Sequence, residues 1–167
     1  PVSYSVYDVR FTKNSAKSPF KIEGKHIENS VYAIDLNENG DIASIINKRF
    51  NRQLIKDGKA MRLAYFTNNE SFAWPAWEII KKVMDAEPQE IAGNVKITVE
   101  ENGPLRATLK IERTHDKSTF VQRIRLTNGA SDDRIDIVND IDWDSSDALL
   151  KAEFPMNFAN PKATYDL

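Results

Sequence analysis

The stretch Arg134-Ile-Asp-Ile-Val-Asn-Asp-Ile-Asp-Trp-Asp-Ser-Ser-Asp-Ala-Leu-Leu-Lys-Ala-Glu-Phe154 decides the fold class. Ile135, Ile137, Asn139, Ile141 and Trp143 fall on one face of an extended strand. Arg134, Asp136, Asp140 and Asp142 face the other way, the period of two of a half-buried strand. Asp144-Ser-Ser-Asp147 interrupts the pattern with turn-forming residues. Ala148 to Phe154 reads as a second strand that stops at Pro155, which has no N–H to give a ladder. The pair predicts a long hairpin of an all-β domain.

Working outward, the same signals recur. Phe120, Ile124 and Leu126 line one strand face, and Leu105, Ala107, Leu109 and Ile111 line another, with Thr114 to Lys117 turning the chain between them. Val95 to Glu100 is a strand ahead of the Asn102-Gly-Pro turn. Asn29 to Leu36, Asp41 to Ile46 and Met61 to Phe66 read as further strands. Asn39-Gly40 closes the first two as a tight turn. Val2 to Phe11 reads as a strand, and Thr12 to Lys25, broken by Pro19 and Gly24, as a connector. Short strands at this spacing argue a sandwich or barrel. Asn68 to Glu90 is the irregular part, with one or two helical turns expected from Glu78 to Val83. The expected organisation is a joining strand and connector over 1–25 and a β-sandwich over 26–167. Ala163 to Leu167 reads as the start of a further strand, so the sandwich is expected to be incomplete at its C-terminus, with a cut edge that invites self-association. Ile135, Ile137, Ile141, Trp143, Leu150, Phe154, Leu109, Ile111, Ile124 and Leu126 are the expected core.

Composition excludes several classes. The 167 residues suit one domain, 41% are hydrophobic, and charged residues are 29% with a formal net charge of −2. Such a balance provides no field for nucleic acid or an anionic membrane, and no apolar run is long enough to span a bilayer. The chain opens on Pro1-Val-Ser-Tyr without Met, basic region or apolar core, so no signal peptide is visible and an excised segment is expected. Cys is absent, which excludes disulfides and leaves the compartment unassigned.

Candidate chemistry is sparse. Asp140-x-Asp142-x-Asp144 imitates the opening of a calcium loop, but Ser145 stands where Gly is required and Lys151 where Glu is required. A solvated strand face is the expected reading. His26 and His115, the two histidines, lie far apart in polar settings, and zinc needs three or four clustered ligands. No metal or catalytic residue is therefore assigned to this chain. Phe72, Trp74 and Trp77 form an aromatic group around Pro75. Trp74 and Trp77 are the candidate carbohydrate-stacking residues, and the competing expectation is ordinary core or interface packing. Asn69-Glu-Ser71 is a glycosylation sequon, short enough to arise by chance.

Several segments taken in order resemble a known family. Ile27-Glu-Asn29 with Asp35-Leu-Asn-Glu-Asn-Gly-Asp-Ile-Ala-Ser-Ile-Ile46, Ala76-Trp-Glu-Ile79, Asp140-Ile-Asp-Trp143 with Leu149-Leu-Lys-Ala-Glu-Phe-Pro155, and Ala163-Thr-Tyr165 resemble the β-domain of α-mannosidases of glycoside hydrolase family 38. Val2 to Tyr7 resembles the strand leading into that domain. Glu78 departs from the family's Asp, and Val83 to Gly93 reads as an insertion. The resemblance implies a galactose-mutarotase-like β-sandwich (a supersandwich) that follows a catalytic barrel. It also implies that a nucleophilic Asp and a zinc ion belong to that barrel, since no segment here matches their motifs. The expected function is that of a non-catalytic β-domain of a retaining α-mannosidase, supporting the barrel and lining a mannose-containing glycan. The alternatives are an independent carbohydrate-binding sandwich, and a mutarotase-like isomerase, which would need a His and a carboxylate converging in a cleft.

Overall fold

The computed structural model describes residues 3–11, 16–129, 132–159 and 162. Within them the chain forms β1 (Lys21–Glu23), β2 (His26–Glu28), β3 (Tyr32–Leu36), β4 (Ile42–Asn47), β5 (Arg52–Gln53) and β6 (Arg62–Thr67). A short helix α1 (Lys81–Met84) follows, then β7 (Gln89–Glu90), β8 (Gly93–Asn102), β9 (Arg106–His115), β10 (Ser118–Thr127), β11 (Ile135–Asp142) and β12 (Ala148–Glu153). They make three antiparallel sheets, ordered β1-β2-β3-β4-β5, β11-β10-β9-β8 and β12-β6-β7. The protein is an all-β sandwich.

The core shows why. Strict alternation along β10 buries Phe120, Gln122, Ile124 and Leu126, and the inward face of β9 buries Ala107, Leu109, Ile111 and Arg113. Of these, Ala107, Leu109, Ile111, Ile124 and Leu126 meet Ile27, Ile34, Leu36, Ile42 and Ile45 of the five-stranded sheet in one cluster. Each Leu or Ile among them removed from water contributes about 1.5–3 kcal/mol. The three-stranded sheet is covered on both faces, by Phe120 on one and by Val83 of α1 on the other. That two-sided cover explains why Leu63, Ala64, Tyr65 and Phe66 are buried in succession rather than alternately.

The largest correction concerns the stretch that opens the sequence reading. β11 and β12 are not partners: β11 pairs with β10, and β12 with β6 of another sheet. The turn-like residues Asp144 to Asp147 carry the chain from one sheet to another, stitched by the Asp144 N–H donating to Ser118 Oγ at 2.9 Å and by Ser118 Oγ against Ser145 Oγ at 2.7 Å. Period two specifies a face, not a partner, and both arrangements share it. As edge strands these two bury less than expected. Ile135, Ile137 and Leu150 are half-buried against the clusters, while Ile141, Trp143 and Phe154 are 38%, 38% and 58% exposed. Trp143 instead lies against Tyr65 at 5.7 Å and Phe120 at 6.4 Å between ring centroids, covered from one side.

Smaller corrections follow the same logic. Residues 3–11 are not a strand: Tyr4, Val6, Tyr7, Val9 and Phe11 are at least 84% exposed, because no described strand edge pairs with that backbone. The connector expected over Thr12 to Lys25 includes β1. Gly24, at φ 58, starts a two-residue turn in which Glu23 pairs with His26. Leu105 lies ahead of β9 and is 71% exposed. The β3–β4 turn is wider than a two-residue Asn-Gly turn. The Asn37 N–H donates to the Asp41 carbonyl and the Gly40 N–H to the Asn37 carbonyl, with Gly40 alone of the turn at positive φ, +80. A Cβ at Gly40 would sit 2.5 Å from Ile111 Cγ2, so the turn closes directly onto the core. Ala163 to Leu167 lies outside the described residues.

Candidate functional site

The aromatic group sits on the loop between β6 and α1, and it is not core. Phe72, Trp74 and Trp77 are 104%, 64% and 87% exposed, against the packing expected of such large side chains. The loop nevertheless has a defined shape. Asn69 Nδ2 donates to the carbonyls of Pro75 (3.0 Å) and Glu78 (2.6 Å), and Asn69 Oδ1 accepts the Ile80 N–H at 3.2 Å. Ser71 Oγ donates to Glu78 Oε2 at 2.6 Å and accepts the Trp74 N–H at 3.3 Å. The Trp77 and Glu78 N–H groups both bond the Trp74 carbonyl. The sequon asparagine is thus the residue around which the loop is built, and both amide hydrogens are committed to it.

An open groove of about 850 Å³ is lined by Met84 of α1 together with Asp41, Arg62, Phe66, Lys151 and Glu153. Several of its polar side chains have partners. Arg62 Nε donates to Glu153 Oε2 at 2.8 Å, and Lys151 Nζ lies 5.0 Å from the centre of the Phe66 ring. Asp41 reaches inward to Arg113, which is 2% exposed: Nη1 donates to Asp41 Oδ1 at 2.6 Å and to the Asn39 carbonyl at 3.1 Å. Arg113 Nη2 donates to Gln122 Oε1 at 3.3 Å, and Gln122 Nε2 to Asn139 Oδ1 at 2.8 Å. Burial pushes the Asp41 carboxyl above its ordinary value despite the Arg113 guanidinium and the Asn37 side chain. This chain of polar groups ties the β3–β4 turn to β9, β10 and β11. Sequence reasoning missed it, although a signal existed: Arg113 and Gln122 occupy inward positions of the alternations that start at Ala107 and Phe120.

The two histidines occupy different sheets. His26 lies between Asp35 (Nδ1 to Oδ1, 2.7 Å) and Glu28 (Nε2 to Oε2, 3.1 Å), and Lys48 donates to Glu28 at 2.5 Å. Burial lowers the His26 pKa, but the hydrogen bonds and charges of Asp35 and Glu28 outweigh it and raise the net value. The His115 ring lies 4.2 Å from that of Tyr65, with Nε2 against Gln89 Oε1 at 3.1 Å. No group of three or more His, Cys, Asp or Glu side chains that could hold a metal ion occurs among the described residues. Asp140 and Asp142 lie on the exposed outer side of β11, and Asp140 is paired with Arg123, which also donates to Glu100 at 2.8 Å. No described helix is long and apolar enough to cross a membrane. What the arrangement offers is binding: an exposed aromatic loop, and a groove in which Arg62 is paired with Glu153 and Asp41 with Arg113.

Comparison with known proteins follows the fold. The family model for the "Glycosyl hydrolases family 38 C-terminal domain" matches residues 27–167. Alpha-mannosidase G of Dictyostelium discoideum is 27% identical over 148 residues, which is 84% of this chain and 13% of that protein. The chain therefore spans a small part of the length of that relative.

Proposed function

This chain belongs to glycosyl hydrolase family 38 through its C-terminal domain, and from that membership we propose that it is the non-catalytic β-domain of a retaining α-mannosidase. The match over 27–167 carries the reading. In it, a catalytic barrel of the same polypeptide supplies the nucleophile and the zinc ion, and the sandwich buttresses that barrel and faces the carbohydrate. Mannose-containing glycan is the ligand, and Trp74 and Trp77 are the stacking residues. Indole faces pack against the C–H faces of sugar rings through the same dispersion and quadrupole terms that pair aromatic side chains. Among the described residues the outermost strands β8 and β11, each eight residues or longer, have one edge unpaired in their sheet, which favours association with a neighbouring domain or a second copy.

The test is titration of the chain with methyl α-mannoside and an α-linked mannotriose, followed by NMR of the indole N–H signals. The Trp74 and Trp77 signals are expected to shift and Trp143 to stay. Unmoved Trp74 and Trp77 signals would reject the stacking assignment. An independent carbohydrate-binding module is the second reading, favoured by the exposure of the same two rings. Glycan-array binding by the isolated chain as tight as that of the intact enzyme would select it.

A further inference from the structure

We propose that Asn69 and the Ser71–Glu78 pair are positioning residues, which hold the loop from Asn69 to Ile80 in a preformed shape that presents Trp74 and Trp77 to a sugar. The inference rests on the sugar-facing reading of those two rings and adds which residues make it work. Core packing holds the loop only at its end, where Ile80 packs against Ala64, Phe66 and Val83; the exposed Phe72, Trp74 and Trp77 side chains contribute none, so the shape around them must come from elsewhere. Here it comes from hydrogen bonds. Asn69 spans the loop: its two N–H groups fasten Pro75 and Glu78, and its oxygen fastens Ile80, the residue that leads into α1. Ser71 closes a second, smaller ring by bonding the Glu78 carboxylate and the Trp74 N–H. Trp74 and Trp77 therefore lie between two anchored points, with Pro75 fixing the backbone between them. A loop ordered before the ligand arrives does not lose that conformational freedom on binding, which is how preorganisation raises affinity.

The same geometry assigns a meaning to the sequon. A glycan attached at Asn69 Nδ2 would replace one of the two hydrogens, leaving one donor for the Pro75 and Glu78 carbonyls. Attachment and the observed loop are mutually exclusive, so the Asn69-Glu-Ser71 pattern serves as a lock.

Two readouts test the proposal on the full chain. Amide hydrogen exchange reports the lock, and affinity for an α-linked mannotriose reports its purpose. Asn69→Ala is expected to speed exchange at the Ile80 amide at least tenfold, leaving the amides of Leu109 and Ile124 protected. Ser71→Ala is expected to weaken mannotriose binding about five- to tenfold with an unchanged melting temperature, and Ser71→Thr, which keeps the hydroxyl, to restore it. Unchanged Ile80 protection in Asn69→Ala overturns the lock whatever the sugar does. If Trp77→Ala abolishes binding while Asn69→Ala and Ser71→Ala bind as the parent does, positioning fails and the stacking site stands. If the parent chain binds no mannotriose but loses Ile80 protection in Asn69→Ala, the lock stands and its assignment to sugar is overturned.

Discussion

Replacing Arg113 with Met should be the most damaging single change to a polar residue in this protein. The guanidinium is 2% exposed and bonds Asp41, the Asn39 carbonyl and Gln122, while Asp41 is itself 7% exposed. Met fills similar space but leaves a buried carboxylate without its cation. Removing one partner of a buried pair costs about 3–5 kcal/mol. For a chain of this size that lowers the melting midpoint by about 6–20 °C, at roughly 2–4 °C per kcal/mol. The loss should depend on pH in a defined direction. Burial already holds the Asp41 pKa above its ordinary value in the folded protein, and without Arg113 it rises further. A raised folded-state value means that the folded state binds the proton more tightly, so acid relieves the cost of burying the charge. The deficit of Arg113→Met is therefore expected to shrink as pH falls from 7 toward 4. Chemical denaturation of the parent, Arg113→Met and Asp41→Asn/Arg113→Met measures both effects, and the double variant should recover most of the loss because no buried charge remains. A double variant as unstable as Arg113→Met, or a deficit below about 1 kcal/mol at pH 7, would refute the buried-pair account.

Gly40→Ala should cost about 1–3 kcal/mol, since the new Cβ meets Ile111 Cγ2 at 2.5 Å and the backbone stands at φ +80; an unchanged denaturation midpoint would show that the turn relaxes freely. Leu109→Ala should cost about 2–5 kcal/mol at a site with no exposure. Trp143→Ala should cost less, about 1–2 kcal/mol, because the ring is covered on one side by Tyr65 and Phe120; the reverse order in denaturation would place β11 inside the core. The raised pKa of His26 contributes stability that is present below the ordinary value of 6.5 and lost as pH rises through the folded-state value. His26→Gln should flatten that fall in melting temperature as pH rises above 6.5, and an identical profile in both proteins would remove the role of the Asp35–His26–Glu28 cluster.

The all-β class and most strand positions were legible because period two survives in single sequences: Leu109, Ile111, Ile124 and Leu126 are buried as alternation requires. Partnership was not legible. Ile135 to Trp143 and Ala148 to Phe154 alternate as a hairpin would, yet they serve different sheets, and nothing local distinguishes a turn from a crossover. Depth was legible only in the middle strands, since Ile141, Trp143 and Phe154 belong to or follow edge strands whose cover depends on the neighbouring layer. Around the candidate site the residue types drew the eye to Trp74 and Trp77. Asn69 read as a sequon because its three partners lie six to eleven positions downstream, linked by a fold that no spacing rule encodes. Arg113 could have been found, as a charge at an inward position of β9.

The central claim, that this domain supports mannoside hydrolysis without performing it, is tested most directly by assaying the purified chain on an aryl α-mannoside with zinc added and measuring bound metal after dialysis. Retaining hydrolysis needs two carboxyl groups roughly 5–5.5 Å apart with pKa values pushed apart. Among the described residues Asp41 is raised and Glu28 is lowered, but Asp41 is committed to Arg113, and Glu28 to His26 and Lys48. The account predicts turnover no faster than the buffer blank and less than stoichiometric zinc. Hydrolysis above that blank, lost on substitution of a carboxylate in this chain, or one zinc ion held per chain, would contradict it.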